Sequence, residues 1–281
     1  MFMNQLKTTM LLAVLTALLL WVGSLWSTAG LIVAGIFVIL LNGLAFFFSD
    51  KIILWMYKAK EIKEKEDPTY YHIVRDLAKR ANLPMPKVYV IPTMTPNAFA
   101  TGRNPKHGAV ACTEGILQLL SKEELTGVLA HELSHIKNRD TLITAVAGMI
   151  AGVISYVAVM ARWGAIFGMG GDRDNRSGLI QLILIGILAP IIALILQTAI
   201  SRAREYLADE GAAKLTKDPK GLITALRKIE DGVKHKPLTF GNAATSSQFI
   251  IQPFRGQALL QLFSTHPSTQ KRIQRLEALK V

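Results

Sequence analysis

The chain has 281 residues, 51% of them hydrophobic, with a positive mean hydropathy and a net charge of +12, which is more apolar than an ordinary soluble enzyme. Its one cysteine, Cys112, excludes an intramolecular disulfide and fits a reducing compartment. No nucleic-acid motif accompanies the positive charge, so the charge implies membrane topology and anionic lipid, with no nucleic acid as partner.

From Thr8 to Ser49 no residue is charged. At about 1.5 Å per residue, one helix of that length would reach roughly twice the thickness of a bilayer core, so the run predicts two spans. Gly23, Ser24, Ser27, Thr28 and Gly30 mark the turn between them. Lys7 ahead of an apolar run resembles a signal peptide, but no clear small-residue cleavage site precedes the next run, and an uncleaved anchor is expected. Lys51 to Glu66 is charged and helical in pattern, a juxtamembrane connector. Asp67-Pro68 then opens an amphipathic helix with Tyr71, Ile73, Val74, Leu77 and Ala78 on its apolar side, ending near Asn82 and Pro84.

Three strands are predicted next, at 87–92, 97–102 and 109–112, the last two separated by the turn-rich Arg103-Asn104-Pro105-Lys106. Cys112 lies in the apolar third strand, where a buried small hydrophobe is expected rather than a reactive thiol. An edge strand can hold an extended substrate by main-chain hydrogen bonds. The segment Asn97-Ala98-Phe99-Ala100-Thr101 either serves in that way or is an ordinary strand.

Ser121 and Glu124 match a capping box, and Leu125, Val128, Leu129, Leu133 and Ile136 repeat at helical spacing behind it. This helix contains His131-Glu132-Leu133-Ser134-His135. Two histidines four residues apart project from one helix face and can grip one ion, while Glu132 is offset to take a proton from water beside that ion. Two further uncharged runs follow, Thr141 to Ala161 and Ser177 to Ser201, with Arg162, Asp172, Arg173, Asp174 and Arg176 between them. Each is long enough to cross a bilayer once, and the alternative is a helical hairpin buried in a large core. Pro190 predicts a kink.

Directly after the second run comes Ser201-Arg202-Ala203-Arg204-Glu205-Tyr206-Leu207-Ala208-Asp209. On one helix Glu205 can be the third zinc ligand and Asp209 the acceptor for a ligand histidine's other N–H. The alternative is a charged surface turn with Arg202 and Arg204 as partners. A helix from Pro219 to about Gly232, a polar stretch through Gln252 and a helix from Pro267 to Leu279 complete the chain. His72, His107 and His235 lack ligand spacing, and by spacing alone His266 is ordinary too.

Of 32 lysines and arginines, all but Arg162, Arg173 and Arg176 fall on one side of the predicted spans, which places the long segments in the cytoplasm. The expected organisation is paired transmembrane helices at 1–50, a first catalytic half with the small sheet at 51–140, a transmembrane hairpin at 141–201 and a second catalytic half at 202–281. The fold class is α+β and predominantly helical: an integral membrane protein with about four transmembrane helices and a zincin-like, gluzincin-type catalytic domain.

Taken together, the paired N-terminal spans, Asn97-Ala98-Phe99-Ala100, the His131 to His135 motif, the hydrophobic hairpin, Ser201 to Glu205 with Ala208-Asp209, and Thr265-His266-Pro267 resemble the HtpX-type membrane zinc metalloproteases, bacterial relatives of the CAAX-prenyl proteases. The resemblance implies one Zn2+ per chain and a stress-response, quality-control endopeptidase of the bacterial inner membrane. Such an enzyme is multi-pass, faces the cytoplasm, degrades damaged or unfolded membrane proteins and can cleave itself. It also implies that His266 lies in the cleft and helps stabilise the oxyanion, with Arg272 supporting that corner. A catalytically silent scaffold with a structural metal is the main alternative, disfavoured because three ligands plus a base is an open site. A transporter is disfavoured because no ionisable residue lies in the uncharged runs.

Overall fold

The computed structural model describes residues 50–140, 202–238, 249–251 and 267–279, with a few helical positions between 32 and 48. The predicted spans within 8–49, 141–161 and 177–201, Pro190, most of the polar stretch that ends at Gln252 and His266 lie outside the described residues. Among those described, no helix is long and apolar enough to cross a membrane.

The charged pattern of 51–66 does not continue as one helix. Helical structure stops at Met56, Lys58 turns the chain with a φ of 52°, and β1 (Lys60–Glu61) pairs antiparallel with the second strand. The break has two causes. Tyr57 is fully buried against the rings of Phe99 and Phe249, and Glu61 meets Lys87 and Tyr89 across the strand pair. In α1 (Pro68–Ala81), Asp67 accepts the Tyr70 N–H and Asn82 closes the helix in the left-handed conformation. The buried stripe is the expected Ile73, Val74, Leu77 and Ala78, extended to Tyr70 and Ala81, while Tyr71 is only half-buried.

β2 (Lys87–Ile91), β3 (Ala98–Thr101) and β4 (Ala109–Thr113) complete a four-stranded mixed sheet of order β1-β2-β4-β3. β2 and β4 run parallel from Lys87 opposite Ala109 to Ile91 opposite Thr113, and β3 is antiparallel to β4. Both faces are covered. Val88, Ala98, Ala100, Val110 and Cys112 join the main helical core, while Ile91, Phe99, Ala109 and Ala111 pack with Ile53, Leu54, Tyr57, Leu238 and Phe249. That two-sided burial explains why β3 and β4 read as apolar runs without polar alternation. Cys112 is buried and free, its thiol pushed up to about 12 by burial, as a packing residue would be.

After β4 comes the short α2 (Glu114–Leu119), capped by Thr113 and not anticipated from the sequence. α3 (Lys122–Asn138) follows, then a helix α4 over 202–216, α5 (Lys220–His235), which runs about one turn past its expected end at Gly232, and α6 (Thr269–Glu277). α3 is central, packing on α1, α5, β3 and β4. Its approach to α5 depends on Gly127, where a Cβ would come within 2.5 Å of the Leu222 main-chain nitrogen.

Candidate active site

α3 begins with the expected reciprocal cap. Ser121 Oγ accepts the Glu124 N–H and the Glu124 carboxylate accepts the Ser121 N–H, while Lys228 of α5 donates to the same carboxylate at 2.9 Å. From this anchored start the helix runs into the core, so that His131 and Glu132 are almost completely buried. The His131 and His135 rings stand nearly perpendicular, with their Nε2 atoms 3.1 Å apart. α4 brings Glu205 opposite them, its two oxygens each 3.5 Å from one of these nitrogens. One donor atom from each of the three residues lies within 4.8 Å of the others.

The far nitrogens of both rings face carboxylates. His131 Nδ1 lies 3.0 Å from Asp209 and His135 Nδ1 lies 3.3 Å from Asp140. Arg272 of α6 grips Asp209 through Nε at 2.9 Å and Nη2 at 2.6 Å, and its Nη1 lies 3.2 Å from Glu205. Arg204 donates from Nε to Asp140 at 3.0 Å and from Nη2 to the Asp140 main-chain oxygen. Asp209 therefore sits where its spacing suggested. Arg204 is buried rather than part of a charged surface turn, and Arg272 serves the two α4 carboxylates directly. Asp140 was not singled out in the sequence for a physical reason. Five residues beyond His135 on a continuing helix it would lie about 140° away around the axis. Only the left-handed Arg139, with a φ of 59°, turns it back.

The buried groups fit a divalent cation. Among the described residues, the buried carboxylates Glu132, Asp140, Glu205 and Asp209 meet the buried Arg204 and Arg272, an acidic excess that the imidazoles or an ion can balance. With protein groups alone, protons fill that role. Burial lowers the basicity of His135, but the Asp140 and Glu205 carboxylates outweigh it and raise its pKa to about 10. His131 is also raised, Asp209 and Glu205 overcoming both burial and Arg272. Asp209 and Asp140 are held below the usual carboxylate range. For each, burial pushes up and is outweighed, at Asp209 by Arg272 and His131 and at Asp140 by His135 and Arg204. Glu132 differs from both. Burial raises its pKa against the pull of the histidines, and its Oε1 is buried with no hydrogen-bond partner among the described residues. A carboxylate poised upward and lacking a partner is suited to exchange protons with a molecule entering the site.

Asn97, Ala98, Phe99 and Ala100 lie together on β3, but this edge is not bare. Ile250 N–H donates to Ala98 O, Phe99 bridges to Phe249, and Asn97 Nδ2 donates to Ile251 O. The chain's own 249–251 segment thus takes part of the edge offered to a substrate, and Arg272 holds the Ile250 carbonyl from the other side. His72, His107 and His235 bond to Glu64, to Arg103 with Asn104, and to the Asp231 carbonyl, away from the site.

A buried His-Glu-x-x-His helix, facing a glutamate from a second helix beside a small mixed sheet, defines a metallopeptidase site. The profile of peptidase family M48 matches residues 64–280. A protease HtpX homolog of Thermococcus kodakarensis is 50% identical over 276 residues, covering 98% of this chain and 95% of that one. Another, from Syntrophotalea carbinolica, is 50% identical over 281 residues, covering 99% and 100%. The chain belongs to peptidase family M48, among its HtpX-type metalloproteases. Its fold is similar to that of Ste24p of S. mikatae, with a TM-score of 0.56 and 19% identity over 98% of this chain and 66% of that longer protein. Family membership makes the chain a hydrolase and implies a metal, for which His131, His135 and Glu205 form a fitting group.

Proposed function

We propose that this chain is a membrane-embedded, zinc-dependent endopeptidase that cuts damaged or unfolded proteins at the cytoplasmic face of the membrane, with one Zn2+ held by His131, His135 and Glu205. The observation that carries the reading is the convergence of three donor atoms within 4.8 Å beside a buried carboxyl oxygen of Glu132 that lacks a hydrogen-bond partner among the described residues. Zinc, when bound, supplies a Lewis acid that polarises the scissile carbonyl and makes water more acidic. Glu132 takes a proton from water as the water oxygen bonds to the carbonyl carbon, then passes it to the amine nitrogen as the C–N bond breaks. Asp209 fixes His131 by accepting its Nδ1–H, which leaves Nε2 facing the other donors. His266 is assigned by family likeness as a donor to the developing oxyanion. Purified full-length protein in detergent should degrade an unfolded model substrate with zinc and stop on chelation. Zinc-independent hydrolysis would overturn the reading.

The membrane role rests on chain order. Asp140 and Arg202 flank the uncharged runs, and Glu205 lies three residues, about 5 Å of helix, beyond Arg202. The third donor therefore stands close to where the predicted hairpin returns, which puts the cleft near the bilayer surface and favours loops or tails of membrane proteins. Tethering one unfolded substrate to a transmembrane helix by linkers of increasing length tests this. A tether within reach raises effective concentration toward the millimolar range, so the anchored substrate should be cut faster than the free one below saturation. Equal rates at every length would show that the membrane does not select substrates.

A further inference from the structure

We propose that Asp140 and Arg204 are positioning residues for His135, and that they tie the metal site to the two points where the chain enters and leaves the 141–201 segment. The inference rests on the metal-site reading above.

The geometry is specific. α3 ends at Asn138, Arg139 reverses the backbone, and Asp140 turns its carboxylate back so that Oδ2 faces His135 Nδ1 at 3.3 Å. Its other oxygen takes the Arg204 Nε–H at 3.0 Å, and the same guanidinium holds the Asp140 carbonyl. Arg204 thus fixes both the side chain and the backbone of one residue. Asp140 and Arg204 are 2% and 5% exposed, so the pair is shielded from water and its geometry is stiff.

This arm repeats the one at His131, where Asp209 faces Nδ1 and Arg272 grips Asp209 through two nitrogens. Each imidazole has a carboxylate on Nδ1 and each carboxylate has an arginine behind it. A carboxylate accepting from Nδ1–H selects the tautomer whose Nε2 lone pair is free, and it raises the basicity of that nitrogen. Both Nε2 atoms point at Glu205. The two arms differ in position along the chain. Asp209 and Arg272 belong to α4 and α6, whereas Asp140 immediately precedes 141 and Arg204 is the third residue after 201. Displacing 140 relative to 204 therefore moves the acceptor that orients His135, which makes the site's metal affinity sensitive to how the 141–201 segment is held.

The test uses full-length protein in detergent micelles, with Co2+ as a spectroscopic probe and Zn2+ affinity measured by chelator competition. Asp140→Asn should weaken Zn2+ binding by roughly 10–100-fold, the usual effect of losing such a partner. It should also shift the Co2+ visible absorption, because the imidazole is no longer held. Arg204→Lys keeps the charge and loses the two-point grip, and should give a smaller change in the same direction, while Asp140→Glu recovers part of the affinity. The double variant should lose less than the sum of the two single losses, since both residues act on His135 through the same carboxylate. Should either single variant unfold, the other still reads the same arm. Wild-type Zn2+ affinity and an unchanged Co2+ spectrum in folded Asp140→Asn or Arg204→Lys, with only a lower unfolding temperature, would make the pair a structural clasp and overturn the proposal. Failure of the unaltered protein to take up Co2+ or Zn2+ would instead overturn the site reading, and this inference with it.

Discussion

α3 and α4 carry the three donors, yet different forces hold them in the fold. α3 is wrapped in apolar side chains: Leu125, Val128, Leu129, Ala130, Leu133 and Ile136 are all buried, and helices or strands lie on several sides. α4 buries mainly the small Ala208, Ala212 and Ala213, and Gly211 lies so close to Ser134 that a Cβ there would be 2.6 Å from its hydroxyl. Its first two turns are fixed by charge, through Arg204 with Asp140 and Arg272 with Glu205 and Asp209. Apolar burial is indifferent to protons and ions, whereas buried ion pairs respond to both. The helix bringing the third donor is therefore the one whose docking depends on what the site contains.

The largest effect expected is catalytic and belongs to α3. Glu132→Gln keeps the shape of the side chain but removes the proton acceptor, so turnover should fall by ~10²–10⁴-fold with bound metal and unfolding temperature unchanged. Glu205→Ala on α4 should lose activity together with stoichiometric metal. Rates and metal content measured side by side separate the two helices. Near-normal proteolysis by Glu132→Gln would remove it from the chemistry, and full zinc retention by Glu205→Ala would require a different third ligand.

Stability should divide along the same line. Leu133 is fully buried on α3, and Leu133→Ala should cost about 2–5 kcal/mol whether or not metal is bound. Arg272→Met leaves Glu205 and Asp209 without their arginine, a loss of about 3–5 kcal/mol in metal-free protein. It should be smaller in the loaded protein, where an ion balances the same carboxylates. Denaturation of both variants in both states checks this, and equal losses for Arg272→Met with and without metal would break the contrast.

The protons standing in for the ion give a pH signature. His135 rises from an ordinary 6.5 to about 10 in the folded protein, which means that its protonated form stabilises the metal-free fold. That contribution is complete below the unfolded value and is lost as pH rises from 6.5 toward about 10. Metal uptake must expel the same proton, so affinity should climb across the window. Unfolding temperatures of metal-free and loaded protein from neutral to alkaline pH should diverge, and a constant gap would mean that His135 does not carry the proton.

Much of this was legible because it is local. The Ser121–Glu124 cap, the pair His131 and His135, and the pair Glu205 and Asp209 each follow from helical spacing within one element, and the apolar strands declared themselves by composition. What could not be read depends on contacts made elsewhere. β1 is two residues long and exists only because β2 pairs with it. The apolar face of α1 buries Ile73, Val74, Leu77 and Ala78 as its spacing indicates, but the adjacent tyrosines suit either edge of that face, and packing buries Tyr70 in place of Tyr71. Asp140 required a left-handed residue that no spacing rule anticipates at an arginine, and Arg272 reaches a carboxylate 63 positions away. The partial occupation of the β3 edge by 249–251 is likewise set by the packing of Phe249 on Tyr57 and Phe99.

The smallest expected effect tests whether α3 is as free of charge dependence as the contrast requires. Its one described ion pair outside the active site is Glu124 with Lys228 of α5, on the reciprocal cap, where the lysine side chain is 48% exposed. Burial raises the Glu124 pKa, but Lys228 and the Ser121 N–H outweigh it and hold the carboxyl below its ordinary 4.5. Because the folded value lies below the unfolded one, the contribution is present above pH 4.5 and fades as pH falls through the folded value. Glu124 is buried, but with its lysine partner half-exposed solvent screens the pair to about 1 kcal/mol or less, so Glu124→Gln should lower stability only slightly at neutral pH. The difference from wild type should close on acidification, and removing Lys228 should have little further effect in the Gln background. A loss rivalling that of Leu133→Ala would mean that α3, like α4, is held by charge, and the distinction between the two helices would fail.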